Sequence, residues 1–394
     1  MAYSTTEAVH LLNVRAEGMS AWAGEPNHFA ARFQQEGGER RDFAQRRLFG
    51  RYLGEVLDDA LATGCVELIH STAIAGSREQ AGWRISLDDG ESIEARALVL
   101  AIGNQEPEAL SAFAGARQRF IRNPWGDEAR AAVADLAARG ASALLVGTGL
   151  TMVDLVLSLE AAGHRGKILA LSRRGLAPRA HADFDPTSVD ETELPSRLGP
   201  LLRWLRRRGA EGGWRSAVDS LRPHTHKLWQ GFTEHEQRRF LRHARPWWDV
   251  HRHRIAPQVA ATLKHRIEEG RLEIAAGRIV AVHESDGRLE VSLRRRGSTA
   301  VETASFAYAF NCTGPLSSIG RTKDPLLRSL LDSGEVAGDH LGIGLEIDSE
   351  CRAGADLWAM GPLTKGRYWE IIAVPDIREQ AAAVAADIER ELGA

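Results

Sequence analysis

Ala143-Leu144-Leu145-Val146-Gly147-Thr148-Gly149-Leu150-Thr151-Met152 is the stretch on which the reading of this chain turns. Four successive apolar residues make a strand buried on both faces, the pattern of a parallel sheet. Two glycines then permit a sharp turn, an apolar helix runs from Leu150 to Ala162, and Ile168 to Leu171 forms a second strand. Strand, glycine turn, helix and strand in so short a span make a βαβ unit. In such a unit Gly147 serves the turn, and Gly149 lets a diphosphate approach the backbone. The first N–H groups of the helix, at Leu150 and Thr151, are free to hold the anion. The third glycine of a G-x-G-x-x-G pattern is replaced here by Met152, and a bare G-x-G after a strand is also an ordinary tight turn. The end of the second strand adds weight. Where a site for NAD carries an acidic residue toward the ribose 2′-hydroxyl, this chain has Ser172-Arg173-Arg174, and two guanidiniums there suit the 2′-phosphate of NADP. The plainer alternative is that both arginines are solvated charges after a strand.

Outward from this unit, the patterning is that of a large α/β protein. Residues Leu48, Phe49, Tyr52, Leu53, Val56, Leu57 and Leu61 recur at helical spacing and predict a helix over Arg46 to Thr63, stopped by Gly64. Runs at 65–75, 83–87 and 95–102 are β-rich, and Ala97 to Ile102 is apolar on both faces, which predicts a buried parallel strand ending at Gly103. Strand signals return at 272–282 and 289–294, joined through Ser285-Asp286-Gly287, and again at 306–310, which runs into Asn311-Cys312-Thr313-Gly314. A strand that ends in a small residue and glycine lets a connection pass close to a ligand or a neighbouring backbone. Gly103 and Gly314 are therefore candidate binding positions.

The chain has 394 residues, 43% hydrophobic and 26% charged, with a net charge of -3. These values fit a folded protein of two domains, or two plus an insertion, and exclude a polycationic chain that binds nucleic acid by bulk charge. Three scattered cysteines, Cys65, Cys312 and Cys351, form no disulfide framework and no metal-binding spacing, and no apolar run reaches membrane-spanning length. A cytoplasmic location is expected. Residues 186–269 turn helical and read as an insertion. Between Leu201 and Arg254 it carries 13 Arg and Lys against five Asp and Glu, interleaved with Trp204, Trp214, Trp229, Trp247 and Trp248. That composition could read a nucleic acid; the alternative, which we favour, is a helical cover with its aromatics turned inward. His224, His226, His251 and His253 lack the carboxylate or thiol companions of a metal site. Ser172 and the three single cysteines show no base partner for a hydrolase or a thiol-disulfide reductase.

Several segments together, RRLFGRYL (46–53), LVLAIGN (98–104), LLVGTGLTMVDLVLSL (144–159), LSRRGLAPRAH (171–181), WWDVHRHR (247–254), NCTGP (311–315) and AVPDIREQAA (373–382), give the chain a resemblance. Over essentially its whole length it is similar to the bacterial FAD/NAD(P)-binding oxidoreductases related to flavin monooxygenases and N-hydroxylases. The resemblance implies two Rossmann-like dinucleotide-binding domains: residues 1–127 and 317–394 for FAD, and 128–316 for NAD(P), the latter interrupted by the helical insertion at about 186–270. It implies FAD and NADP as cofactors, a small-molecule substrate, and hydride transfer from NADPH to flavin and then to oxygen or another acceptor. It places Tyr3, Ser4, His10, Leu12, Asn13 and Met19 near the flavin, with Arg47, Phe49 and Tyr52 behind them and Gly361-Pro362 at the ring end. Leu12, Phe49 and Tyr52 read more simply as core, and Asp376 and Arg378 as anchors of the last helix. Proteins of this kind begin with their own strand–GxGxxG–helix unit for FAD. The sequence opens at Ala2-Tyr3-Ser4, which resembles the segment after that unit, so we expect Met1 to be a misassigned start and the first domain to be truncated. An NADP(H)-binding protein without flavin is the alternative.

Overall fold

A computed structural model describes residues 3–80, 82–116 and 118–393. Met1, to which the expectation about the start refers, lies outside them. In chain order the helices are α1 (His28–Gln35), α2 (Arg46–Ala62), α3 (Asp127–Arg139), α4 (Leu150–Ala161), α5 (Leu198–Gly212), α6 (Trp214–Ser220), α7 (Thr225–Gly231), α8 (Glu234–Arg239), α9 (Arg245–Arg252), α10 (Pro257–Glu268), α11 (Pro325–Ser333) and α12 (Val374–Leu392). The strands are β1 (Ala73–Glu79), β2 (Gly82–Leu87), β3 (Ser92–Ala95), β4 (Leu98–Leu100), β5 (Phe120–Ile121), β6 (Ala143–Val146), β7 (Ile168–Ser172), β8 (Leu272–Ser285), β9 (Arg288–Arg295), β10 (Glu302–Phe306), β11 (Tyr308–Asn311), β12 (Arg352–Gly354) and β13 (Leu357–Ala359).

The centre is a seven-stranded sheet in the order β10-β9-β8-β7-β6-β11-β5. Its core strands are parallel: β6 pairs with β7 on one side and β11 on the other, and β7 pairs with β8. Side chains alternate across a strand, and here the alternation divides two cores. Ala143 and Leu145 face a cluster with α3, α4 and α10, while Leu144 joins Phe113, Phe120, Leu169, Leu171 and Val291 on the opposite face. Helix α4 packs on β6 and is flanked by α3, α10 and the N-terminal segment, so it is apolar nearly all round and eight of its residues are buried. The hairpin β8–β9 turns through Asp286 (φ 51) and Gly287 (φ 69) between the paired Ser285 and Arg288. Two consecutive positive-φ residues give the tight turn that matches strand twist.

Two three-stranded sheets, β1-β2-β3 and β12-β13-β4, share a further core with α11 and α12, built around Trp83, Leu100, Leu330 and Trp358. Leu12, Phe29, Phe49 and Tyr52 form a separate N-terminal core. Two strand expectations are corrected here. The run at 65–75 is extended only from Ala73; Val66, Leu68 and Ile69 are 42–48% exposed and no described strand pairs with them. The apolar run at 97–102 is strand only over Leu98–Leu100 and is not buried on both faces, because β4 lies at a sheet edge with Val99 38% exposed.

The basic segment forms the helical cover α5–α9. Trp204 and Trp229 are buried with Leu201, Phe232, Phe240 and Trp369, so the packing claims their rings. Among the described residues no helix is long and apolar enough to cross a membrane.

Candidate active site

A cleft of about 980 Å³ opens where β6, β7 and β11 end. Gly147 has φ 119, and a Cβ there would overlap the Cys312 carbonyl at the end of β11. The glycine is thus required by the crossing of two chains as much as by the turn. Gly149 is different. It precedes α4 in an extended conformation (φ -85, ψ -161), and a Cβ on it would meet nothing within 4 Å. Protein packing leaves that space open at the start of a helix whose first N–H groups are free, which is the arrangement that holds a phosphate.

The turn is braced from beneath. Thr148 Oγ1 lies 2.9 Å from Ser172 Oγ and donates to the Leu176 carbonyl, while the Gly175 N–H donates to Ser172 Oγ at 3.0 Å. These bonds fix the end of β7 and with it Arg173 and Arg174, both on the cleft wall. The two arginines are not equivalent. Arg174 donates to the His243 carbonyl at 2.7 Å and to the Arg242 carbonyl at 3.2 Å, tying the sheet to the helical cover. Arg173 is exposed. Arg278 on β8 and Arg296 just after β9 are exposed too and line the same cleft. Sequence reasoning missed both: they enter from strands more than 100 residues beyond the glycine turn, and nothing local marks them.

The opposite wall comes from α9 and residues 361–372. Arg245 and Asp249 of α9 and His253 just after it line this wall with Lys365, Trp369 and Glu370. Glu370 holds a positive φ of 74 and accepts from Arg252 Nε at 2.9 Å and from Trp248 Nε1 at 2.5 Å. Burial pushes the Asp249 carboxyl above its usual range. Burial, with Arg245 beside it, pulls the Lys365 ammonium down to about 8. Cys312 also lines the cleft, but burial pushes its thiol up, so it is no thiolate nucleophile.

Of the residues singled out in the sequence, the cleft gathers Gly147, Gly149, Leu150, Thr151, Arg173, Arg174 and Gly314. Gly314 has φ 88 and open space where a Cβ would stand. Gly103 (φ 67) lies in a small adjoining pocket with Asn104, Pro362 and Lys365, and Gly361 (φ 63) donates its N–H to Gln380 Oε1 next to it. His10 and Asn13 are not on the cleft wall. His10 is 4% exposed, with Nε2 at 3.0 Å from Ser158 Oγ and Nδ1 at 2.9 Å from Thr5 Oγ1, so protein groups occupy both ring nitrogens. It is a strut between the N-terminal segment and α4, a correction to the flavin contact expected of it. The Asn13 carbonyl lies 3.0 Å from His181 Nε2.

That contact carries a prediction. Burial, opposed by the hydrogen bond to Asn13 and reinforced by Arg254 and Arg15, lowers His181 from 6.5 to about 4. Between those values the unfolded chain binds a proton that the folded chain does not, so stability falls as pH drops through that window. His181→Gln should flatten this acid limb, read as a smaller difference between urea midpoints at pH 7 and pH 5. An unchanged difference would assign the acid loss elsewhere.

Comparison with known proteins bears on the fold. Residues 1–105 match a family model described as FAD-NAD(P)-binding. L-lysine 6-monooxygenase from Pseudomonas syringae superposes with a TM-score of 0.67 at 18% identity, covering 97% of this chain and 87% of that one. The chain has the FAD/NAD(P)-binding fold of the flavoprotein monooxygenases. The ornithine N-hydroxylase of Kutzneria sp. 744, solved with reduced FAD, NADP+ and L-ornithine, shares this flavoprotein fold at a TM-score of 0.66 and 14% identity, over 98% of this chain and 88% of that one. The bacillithiol disulfide reductase of Staphylococcus aureus has it at 0.51 and 11% identity, over 90% and 79%. No curated protein matches the chain in sequence.

Proposed function

We propose that this flavoprotein-fold chain is an NADPH-using, FAD-dependent oxidoreductase of the monooxygenase type, acting on a small molecule. The open space at Gly149, at the start of α4 and in one cleft with Arg173, Arg278 and Arg296, carries the reading. The residues present fit NADP(H): the first N–H groups of α4 would hold the diphosphate, and the arginines the 2′-phosphate. For FAD the fit is partial. Gly103 and Gly314 offer open backbone at the ring end, but the Gly361 N–H is already taken by Gln380, and among the described residues no second strand–glycine–helix turn presents itself to the flavin diphosphate. We assign residues 128–316 to NADP(H) and 1–127 with 317–394 to FAD.

With both cofactors held in this cleft, the chemistry they would supply is hydride transfer from NADPH to flavin and electron delivery to oxygen or another acceptor. The chain's part is to hold the two cofactors in line and to keep water from the space between them. α9 and residues 361–372 form that cover, pinned by the Arg252–Glu370 pair, whose side chains are 13% and 6% exposed. Cys312 is buried with its thiol pushed up, so it is not placed as a thiolate nucleophile in this cleft.

The test is the visible flavin band of the purified chain after incubation with FAD, followed by NADPH oxidation under air. A yellow protein that consumes NADPH supports the proposal; a colourless one that binds NADPH would establish the flavin-free alternative. Specificity follows from the arginines. Arg173→Ala should weaken NADPH by about 1.5–3 kcal/mol, roughly 10- to 150-fold, and leave NADH little changed. Arg174→Ala should weaken both, because it also releases the carbonyls of 242 and 243. Equal losses of the two nucleotides for Arg173→Ala would remove the 2′-phosphate assignment.

A further inference from the structure

Glu234 to Arg252 is one helical run with a fault in its middle. Helix α8 ends at Arg239, the turn Phe240–Ala244 is π-helical, and α9 resumes at Arg245 with Pro246 as its second residue. Proline has no N–H, and its ring crowds the carbonyl four residues before it, so Pro246 denies the Arg242 carbonyl its ordinary helical donor. The donor comes from another element. Arg174, just after β7, gives one N–H to the Arg242 carbonyl at 3.2 Å and one to the His243 carbonyl at 2.7 Å. A guanidinium from the sheet therefore closes the gap that the proline opens in the cover.

The same guanidinium lines the nucleotide cleft beside Arg173, and among the described residues no carboxylate pairs with it. It carries five N–H groups in a rigid fork, of which the two carbonyls take one each, so three remain for an anion. Beyond the fault, α9 brings Arg245 and Asp249 to the opposite wall of the cleft. The far end of α9 is pinned separately, by Arg252 Nε at 2.9 Å and Trp248 Nε1 at 2.5 Å on the Glu370 carboxylate. The part of the cover whose order depends on Arg174 is thus the π-helical turn and the first turn of α9.

We propose that Arg174 couples the 2′-phosphate of NADP(H) to the cover: one guanidinium grips the phosphate and the kinked helix together, so that the phosphorylated nucleotide locks the start of α9 over the cleft. This rests on the functional reading above and adds to it what regulates the cover of that site. Without an anion, capping the kink requires a long side chain to be ordered for two hydrogen bonds. A phosphate on the remaining N–H groups orders the same side chain, and by linkage the capped kink in turn favours the phosphate. NAD(H) lacks the 2′-phosphate and leaves the kink as it is. Arg174 is a positioning residue, since it acts on the cleft wall through α9.

The test is hydrogen–deuterium exchange of the full chain, read over residues 240–248, without nucleotide and at saturation with NADP+ or NAD+, saturation being set by calorimetric titration of each protein. NADP+ should slow exchange there about tenfold relative to NAD+. Arg174→Ala should exchange faster than the parent without nucleotide and should lose the difference between the two nucleotides even when saturated. Arg173→Ala, saturated in the same way, should keep the difference, because Arg173 holds neither carbonyl of the kink. Pro246→Ala returns an N–H to the Arg242 carbonyl, so it should slow exchange in the nucleotide-free protein and shrink the difference. Equal protection by the two nucleotides, faster exchange with NADP+ than with NAD+, or an Arg174→Ala protein that keeps the difference overturns the proposal. So does an Arg174→Ala protein that, without nucleotide, exchanges no faster than the parent. If Arg174→Ala does not fold, Pro246→Ala decides, and an undiminished difference in it overturns the coupling. A parent that binds no NADP+ overturns the functional reading and the coupling with it, whereas NADP+ binding without the difference overturns the coupling alone.

Discussion

Gly149→Val should yield a protein as stable as the parent, within about 1 kcal/mol, that has lost NADPH affinity about a hundredfold or more. The backbone at Gly149 (φ -85, ψ -161) is open to any residue, and a Cβ there touches nothing within 4 Å, so the added methyls strain no neighbour. Their cost to the fold is the poorer start that valine gives a helix compared with glycine. Their cost to the ligand is larger, because they fill the space through which the N–H groups of Leu150 and Thr151 would reach a diphosphate; two or more charge-assisted bonds go at once. Gly147→Ala should behave in the opposite way. Its φ of 119 and the overlap of any Cβ with the Cys312 carbonyl put the damage in folding, with binding lost only as a consequence. Calorimetric titration with NADPH beside urea unfolding separates the two. A Gly149→Val protein that binds NADPH within about threefold of the parent would mean that no phosphate lies there.

The contrast between these glycines shows what could be read from sequence. The strand–turn–helix pattern at 143–162 is local: four apolar residues, two glycines and an apolar helix suffice, and the structure has each where the pattern puts it. What the sequence cannot distinguish is a glycine demanded by a neighbouring strand from one that leaves room for a ligand, since Cys312 stands 165 residues further along. The same limit hides the rest of the cleft. Arg278 and Arg296 come in from β8 and the end of β9, and Lys365 and Trp369 from a turn before α12; each looks like an ordinary residue until the chain is folded.

The two misread strands have one cause. Residues 65–75 and 97–102 carry β-forming composition, but composition reports only that a residue tolerates an extended, half-buried place. Whether Val66, Leu68 or Val99 is buried depends on which strand lies beside it, and among the described residues nothing pairs with 65–70 or with the second edge of β4. His10 was misread for a related reason. The resemblance to the FAD/NAD(P)-binding oxidoreductases puts it near the flavin, whereas the fold gives its two ring nitrogens to Ser158 and Thr5.

Asp154→Ala should be strongly destabilising, by about 3–5 kcal/mol from a total of about 5–15 kcal/mol. Asp154 sits on the buried face of α4, and its carboxylate accepts from Arg46 Nη1 at 2.7 Å, the two side chains being 6% and 9% exposed. Arg46 opens α2 and also donates through Nε to the Leu11 carbonyl at 2.9 Å, so this one guanidinium ties the N-terminal core to the helix that opens the cleft. Removing the carboxylate strands a charge that water does not reach, and the penalty is the desolvation of that charge, not merely the loss of a bond. The pair itself contributes far less than that figure: replacing both partners by apolar residues of similar size, as in Arg46→Met with Asp154→Leu, should recover most of the loss. Urea unfolding of the parent, Asp154→Ala and the double variant measures both claims. Arg46→Met alone should also cost several kcal/mol, since it leaves Asp154 buried beside the Cys312 thiol, whose ionisation that carboxylate opposes. If Asp154→Ala unfolds within about 1 kcal/mol of the parent, water reaches the pair in solution, and the N-terminal segment is held to α4 by the bonds of His10 to Ser158 instead.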